Sequence, residues 1–299
     1  MVWHCIRAGD GMSIEKKLLG TTPVSGAVDP EGVSFDGSND YLSRSSDLSG
    51  NADGKTFTFS AWVYAIPNYY GSEIFLGASG DNNFWTQLSS GGDVYISARS
   101  TSDSNIFKVE AYGASQPNTW NHIVCSIDLS SNSTRYIYVN DAVPSNMLWR
   151  YYVNSNIDFT SSNAYIGKGG NHFAGRLAHV FLDYTYRDLS TESNRRLFID
   201  SDGKPASGQA ALNPILYLPL KDAATAGSNS GTGGDFTVNG VLDTAGRAPN
   251  QFNCSASKFD GTNDYLSRSS ITGISDGKEF TFSCVVKVPP SPLYKTILS

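Results

Sequence analysis

Glutamate is scarce in this chain of 299 residues, occurring only at Glu15, Glu31, Glu73, Glu110, Glu192 and Glu279. Sugar hydrolysis needs two carboxylates facing each other across a cleft. No E-x-D-x-E run exists, and no pair among the aspartates stands out, so the chain reads as a non-enzyme. Positive charge is also short. Charged residues make up 17% and the formal net charge is −6, so no basic face is expected to neutralise a phosphate backbone, and nucleic acid is excluded as a partner.

Cysteine supplies neither a disulfide framework nor a metal site. Cys5, Cys125, Cys254 and Cys284 lie far apart with no CxxC pair, and read as reduced thiols, some of them buried as small hydrophobes. The few histidines offer no zinc-ligand spacing. His172 and His179 flank the start of an expected strand, and His122 sits in a W-x-H strand where a structural hydrogen bond is its ordinary role. Long apolar runs are missing as well. Nothing approaches the ~20 residues of a membrane span, and Asp10 and Glu15 interrupt the first twenty residues where a secretory signal would need an apolar core. The expectation is a soluble chain with no export signal and no membrane insertion.

What is present points to strands. The chain is 39% hydrophobic and 12% aromatic, with 29 glycines, a mixture of strand and turn formers. In TFTFSAWVY, Phe57, Phe59, Ala61 and Val63 fall on one side and Thr58, Ser60 and Trp62 on the other, which predicts a half-buried strand. WNHIVCSIDL repeats the pattern with Ile123, Cys125 and Ile127. Turn clusters such as SSGGD, TSDSN and SSNST separate further short runs at sandwich-like spacing, so two packed antiparallel sheets are expected. A single short helix is expected after Leu189, capped by Ser190 or Thr191 and running towards Phe198. Residues 1–205 then form one β-sandwich, 206–213 a linker rich in small and turn residues, and 214–299 the opening part of a second sandwich.

The second sandwich is argued from a repeat. FDGSNDYLSRSS at 35–46 returns as FDGTNDYLSRSS at 259–270, and DGKTFTFSAWVY returns as DGKEFTFSCVVKV. The interval is domain-sized rather than solenoid-sized. Phe35 and Leu42 are expected to bury while Asp36-Gly37 and Asn39-Asp40 turn the chain as an opening hairpin. Too few residues follow Phe259 to close a sandwich, so a longer natural chain is expected.

The ordered set FDGSNDYL, TFTFSAWVY, TWNHIVCSIDLSSNSTRYIYVND and AYIGKGGNHFAGRLAHVFLDYTYRDLS resembles the laminin-G-like, concanavalin A-like lectin/glucanase jelly-roll family in its bacterial and phage form. That resemblance implies an all-β antiparallel jelly-roll sandwich and a virion structural protein of a bacteriophage, in a tail fibre, baseplate or capsid decoration. It implies other virion proteins as partners, a homo-oligomer, and a host surface glycan as a further ligand. The alternatives are a secreted bacterial carbohydrate-binding adhesin and, less favoured, a glycoside hydrolase. No cofactor is expected. Calcium stays open without a motif: with Asp36 in first place an EF-hand loop would require glycine where Tyr41 stands. Sugars stack on aromatic rings, which directs attention to Trp149, Tyr151 and Tyr152 in MLWRYYVN and to Tyr69 and Tyr70 in IPNYYGS as glycan-binding candidates.

Overall fold

The computed structural model describes residues 32–66, 72–76, 84–89, 91–160 and 163–245. All of them fall in the compact unit Gly26–Gln251. The second copy of the repeated phrase, 259–270, lies outside the described residues.

In chain order the strands are β1 (Val33–Asp36), β2 (Tyr41–Arg44), β3 (Thr56–Ala65), β4 (Ser72–Leu76), β5 (Phe84–Leu88), β6 (Val94–Arg99), β7 (Asn105–Ala111) and β8 (Trp120–Asp128). They continue as β9 (Arg135–Val139), β10 (Met147–Tyr152), β11 (Ala164–Ile166), β12 (Ala174–Asp183), β13 (Leu216–Leu218), β14 (Thr237–Asn239) and β15 (Asp243–Thr244). One sheet has seven strands in the order β15-β1-β12-β3-β8-β9, with β13 also pairing β12. The other has eight, in the order β10-β7-β6-β5-β4-β11-β2-β14. Every recorded pairing is antiparallel. The described chain is thus an all-β antiparallel sandwich, and among the described residues there is one short α-helix, α1 (Glu192–Arg195); it begins after Thr191 as expected, but the Thr191 side chain makes no capping bond and the helix stops before Phe198.

Alternation explains the main core. Phe57, Phe59, Ala61 and Val63 of β3 are fully buried and meet Phe84, Ile96, Phe107 and Val109 from the facing sheet. Phe57 contacts Phe84 edge-on at 4.8 Å between ring centres. Each such side chain contributes about 1.5–3 kcal/mol through burial alone.

β3 is not half-buried, however. Its other face carries Thr58, Ser60 and Trp62, and these are buried too. The chain after β12 folds back over this side of the seven-stranded sheet. Leu189, Phe198 and Tyr217 pack on Val124 and Phe181, while Ile199 joins Trp62 and Trp120. Strand alternation says which residues share a face; whether a later segment covers that face is a tertiary matter.

The repeated phrase behaves differently from a hairpin. Phe35 and Leu42 are buried as expected, but β1 pairs β12 in one sheet and β2 pairs β11 in the other. The phrase is a corner between layers. Asp36 Oδ1 accepts backbone N–H bonds from Ser38 at 2.7 Å and Asn39 at 3.2 Å, and Asp36 N–H donates to Asp40 Oδ2 at 3.0 Å. This closes a turn that Gly37 permits with φ +79°.

The expected boundary at 206–213 is also placed differently. β13, from ILYLPL, does not open a second sandwich. It pairs with β12 at Val180–Leu182, on the edge whose other half is taken by β1 at Ala174–Leu177. A bulge between Ala178 and Phe181 separates the two pairings, with His179 at φ +50° donating its N–H to the Pro219 carbonyl at 3.1 Å. β14 then pairs β2, and β15 pairs β1. Leu216, Leu218, Phe236 and Leu242 enter the main core. The physical reason is edge protection: without these strands β1, β2 and half of β12 would expose unpaired backbone. Two bonds lock the segment to the start of the sandwich, one of them to the repeated phrase. Val241 N–H donates to Asp40 Oδ1 at 2.9 Å, and Ala245 N–H donates to the Gly32 carbonyl at 2.7 Å. A Cβ on Gly240 would stand 2.2 Å from Asp40 Oδ1, so only glycine allows this approach.

Candidate functional site

Among the described residues, no segment is laid over the outer side of the eight-stranded sheet, where Trp85, Gln87, Tyr95 and Lys108 are partly exposed. On β5, β6 and β7 the inward row is Phe84, Leu88, Val94, Ile96, Phe107 and Val109, so Trp85, Gln87, Tyr95, Ser97, Lys108 and Glu110 face outward by alternation. Register places them side by side. Gln87 is opposite Tyr95 and Tyr95 opposite Glu110; Trp85 is opposite Ser97 and Ser97 opposite Lys108.

Charge on this face is organised around Glu110, whose side chain is only 7% exposed. Lys108 Nζ lies 2.7 Å from one carboxylate oxygen. Arg150 Nε and the Tyr112 hydroxyl both donate to the other, each at 2.5 Å. Burial pushes this carboxyl up, but the bonds from Lys108, Tyr112 and Arg150 outweigh it and hold the pKa down at about 2. The Lys108 ammonium also lies 5.9 Å from the Trp85 ring centre and 5.4 Å from that of Tyr95. Tyr95 donates its hydroxyl to Asp93 at 2.8 Å; burial, with that bond, pushes the phenol up to about 12. Burial raises the Asp93 carboxyl, yet bonds from Gly113 N–H, Tyr95 and Ser89 bring it below the ordinary value.

Of the aromatics expected to bind sugar, one stands on this face. β10 is the edge strand beside β7, and a bulge at Arg150 lies between the pairs Trp149–Val109 and Tyr151–Lys108. The extra residue changes the alternation. Trp149 and Tyr152 therefore both turn inward, where they pack on Phe107 at 5.7 and 6.4 Å with the Arg135 guanidinium at 5.2 and 5.0 Å from their rings. Tyr152 also donates to the Asp128 carbonyl at 2.7 Å. Tyr151 faces outward and is 43% exposed. Tyr69 and Tyr70 lie outside the described residues. Sequence reading missed Trp85, Tyr95, Lys108 and Glu110; the aromatic-polar alternation FWTQL and VYISAR was the signal that could have found them.

A second aromatic group lies further along the same face. Tyr41 of β2 and Tyr165 of β11 are 6.2 Å apart, with Lys168 Nζ at 4.1 and 5.4 Å from their ring centres and His172 beside Tyr41 at 5.6 Å.

Other places hold less chemistry. A crevice at one end of the sandwich is lined by Asp47, Asn51, Phe159 and Tyr184. Its polar groups are spent on holding loops: Asn51 donates to Asp47 and to the Phe159 carbonyl, both at 2.6 Å. Asp53 accepts from the Phe159 and Thr160 amides. No group of three or more His, Cys, Asp or Glu side chains suited to a metal occurs among the described residues. His122 is fully buried on the covered face, bonded to Ser60 Oγ at 2.9 Å and tilted on Trp62 at 5.0 Å. Burial drives its pKa down to about 3, so the ring is neutral. Burial likewise pushes the Cys125 thiol far up. Among the described residues, no helix is long and apolar enough to cross a membrane.

The model of the concanavalin A-like lectin/glucanases superfamily, in its laminin G form, matches residues 36–182. The fold is a concanavalin A-like jelly roll. Solved structures that resemble it include a protein of Bacteroides ovatus ATCC 8483 proposed to bind carbohydrate, at 15% identity and TM-score 0.50, covering 74% of this chain and 62% of that one. A heptameric pentraxin from Limulus polyphemus gives 16% identity and TM-score 0.44, covering 59% and 85%. Domains LG4–5 of mouse laminin α1 give 13% and 0.39, covering 55% and 44%. The chain thus spans less than two thirds of the Bacteroides and laminin chains. No curated protein gives a significant match by sequence. At such identities the likeness concerns the fold, and β13 to β15 lie beyond the matched 36–182 span.

Proposed function

We propose that the outer face of the eight-stranded sheet binds glycan, and that the chain is a non-enzymatic structural protein of a bacteriophage virion, in a tail fibre, baseplate or capsid decoration. One observation carries the binding reading: Trp85, Tyr95 and Tyr151 stand on a sheet face over which no described segment lies, beside the fixed charges of Lys108, Glu110 and Arg150. Rings of this kind take the C–H faces of sugars, and oriented charged groups read the hydroxyls. The Bacteroides protein proposed to bind carbohydrate is consistent with that use of the fold, although a fold alone does not fix function.

Glycan hydrolysis would need one carboxylic acid kept protonated near neutral pH. Glu110 titrates at about 2 and Asp93 below its ordinary value, so both are held as anions and neither serves as that acid. The virion setting rests on the resemblance of the ordered motifs and on the repeated phrase, since tandem sandwiches multiply weak sugar contacts into avidity. Two measurements test the reading. The wild-type chain should be retained on a glycan array and Trp85→Ala should not; no retention of wild type at high density removes the binding role. Mass spectrometry of purified particles from the phage should find the chain; its absence there removes the virion role.

A further inference from the structure

We propose that the glycan is a linear polymer lying across the strands and held along its interior, not a terminal sugar held in a pocket. This rests on the outer face being a glycan surface and specifies what kind of glycan fits.

The argument begins with register. From the β10 edge a continuous row of paired residues runs Tyr151, Lys108, Ser97, Trp85. It passes β4 at Leu76 and reaches Tyr165 of β11, then Ser43 of β2 and Thr237 of β14. All eight strands are crossed without a break. The described aromatic rings on this line stand on its first, fourth and sixth strands, with the Lys108 ammonium between them and the Ser43 hydroxyl beyond, while Ser97 is buried and donates to the Phe107 carbonyl at 3.1 Å.

Adjacent strands are ~4.8 Å apart, so Trp85 lies ~14 Å from Tyr151 and ~10 Å from Tyr165 along the line. An extended chain of β-linked pyranoses advances by about one such strand spacing per ring, ~5 Å. One sugar therefore falls over each strand, and the aromatic platforms meet sugars three and two places apart. Each outer platform is separated from Trp85 by at least one sugar that meets no described ring. A single residue or a chain end reaches one platform; three units join Trp85 to Tyr165, and six units reach all three. The neighbouring row adds Gln87 and Tyr95 on one flank, where hydroxyls of a chain lying in this direction project. The crevice described above is not part of the line: it is lined by residues on the loops and inner face.

The test uses the full chain and arrays of linear oligosaccharides graded from one to eight units, covering β-glucan, chitin, xylan and mannan backbones. Titration follows with the length series of whichever backbone is retained. Affinity should step up about tenfold on reaching three units and again at six, the increment one stacked ring supplies. Tyr165→Ala should move the first step from three units to four, the Tyr151–Trp85 span, and Tyr165→Phe should restore it. A thermal melt unchanged from wild type shows that the variant is folded. Retention of single or branched terminal sugars as tightly as six-unit chains, or a Tyr165→Ala variant with the wild-type length profile, overturns the linear polymer while leaving the glycan surface standing. Retention of array glycans but of no graded linear series does the same. No retention of any glycan overturns the surface itself.

Discussion

The two sheets of this sandwich share an interior but differ outside. The centre of the seven-stranded sheet is buried on both faces: β8 has eight consecutive buried residues, including Asn121, His122 and Ser126. The eight-stranded sheet is buried on its inner face, while among the described residues its outer side keeps Trp85, Tyr95, Lys108 and Arg150 at or near the surface around the buried Ser97 and Glu110. Aromatics occur on the outer faces of both, so aromatic content alone does not mark a site. Trp62 is a core residue because the segment after β12 covers it, whereas Trp85 in the described structure retains access to solvent. What separates structure from function here is the layer laid over the sheet.

The sharpest way to break this comparison is to charge the shared interior. Phe59→Asp forfeits ~3–5 kcal/mol of packing and buries an unpaired carboxylate, so no soluble folded sandwich is expected. A cooperative thermal melt for that variant would place β3 the other way round. Nearly as severe is ending the chain at residue 213. It removes Leu216, Leu218, Phe236 and Leu242 from the core and uncovers the edges of β1, β2 and β12. Aggregation is expected, whereas the piece Gly26–Gln251 should melt as one unit; a monomeric, cooperatively folded 1–213 would restore a linker at 206–213.

The comparison itself is measured by two tryptophans. Trp62→Ala should cost ~3–5 kcal/mol, as for other core Trp truncations, and Trp85→Ala less than ~1 kcal/mol, as for a surface change. Equal costs in chemical denaturation would erase the distinction between the sheets. A pH-dependent effect comes from His122. Its folded pKa of about 3 lies below the ordinary value of 6.5, so the unfolded chain binds the extra proton between those limits. Stability is complete above pH 6.5 and falls with acid by up to about 1.4 kcal/mol per pH unit down to pH 3. His122→Gln should flatten that slope relative to wild type in urea melts between pH 4 and 6.5. An unchanged slope would assign the acid sensitivity to other groups.

Much of the fold is legible in the sequence because burial on one face imposes period two. Phe57, Phe59, Ala61 and Val63 are read from that period and are buried, as are Ile123, Cys125 and Ile127. Coverage by distant chain is not periodic, which is why the outer face of β3 reads as exposed and is not. The bulge at Arg150 likewise leaves no local mark, and it sends Trp149 and Tyr152 inward while Tyr151 alone stays outside. Strand order is the other hidden quantity. Nothing in the sequence says that Trp85, Ser97, Lys108 and Tyr151 form one line, since that depends on which strands become neighbours. The ILYLPL run reads as a new beginning because a Gly- and Pro-containing stretch precedes it, but its apolar residues are needed to finish the first sheet.

The bond from Ala245 to Gly32 has an architectural consequence. A module that the polypeptide joins and quits at a single point hangs from its thread like a charm on a bracelet. Many such charms can be strung in series, or one slipped into a loop of an unrelated carrier, with scarcely any change in the length of the cord that bears them.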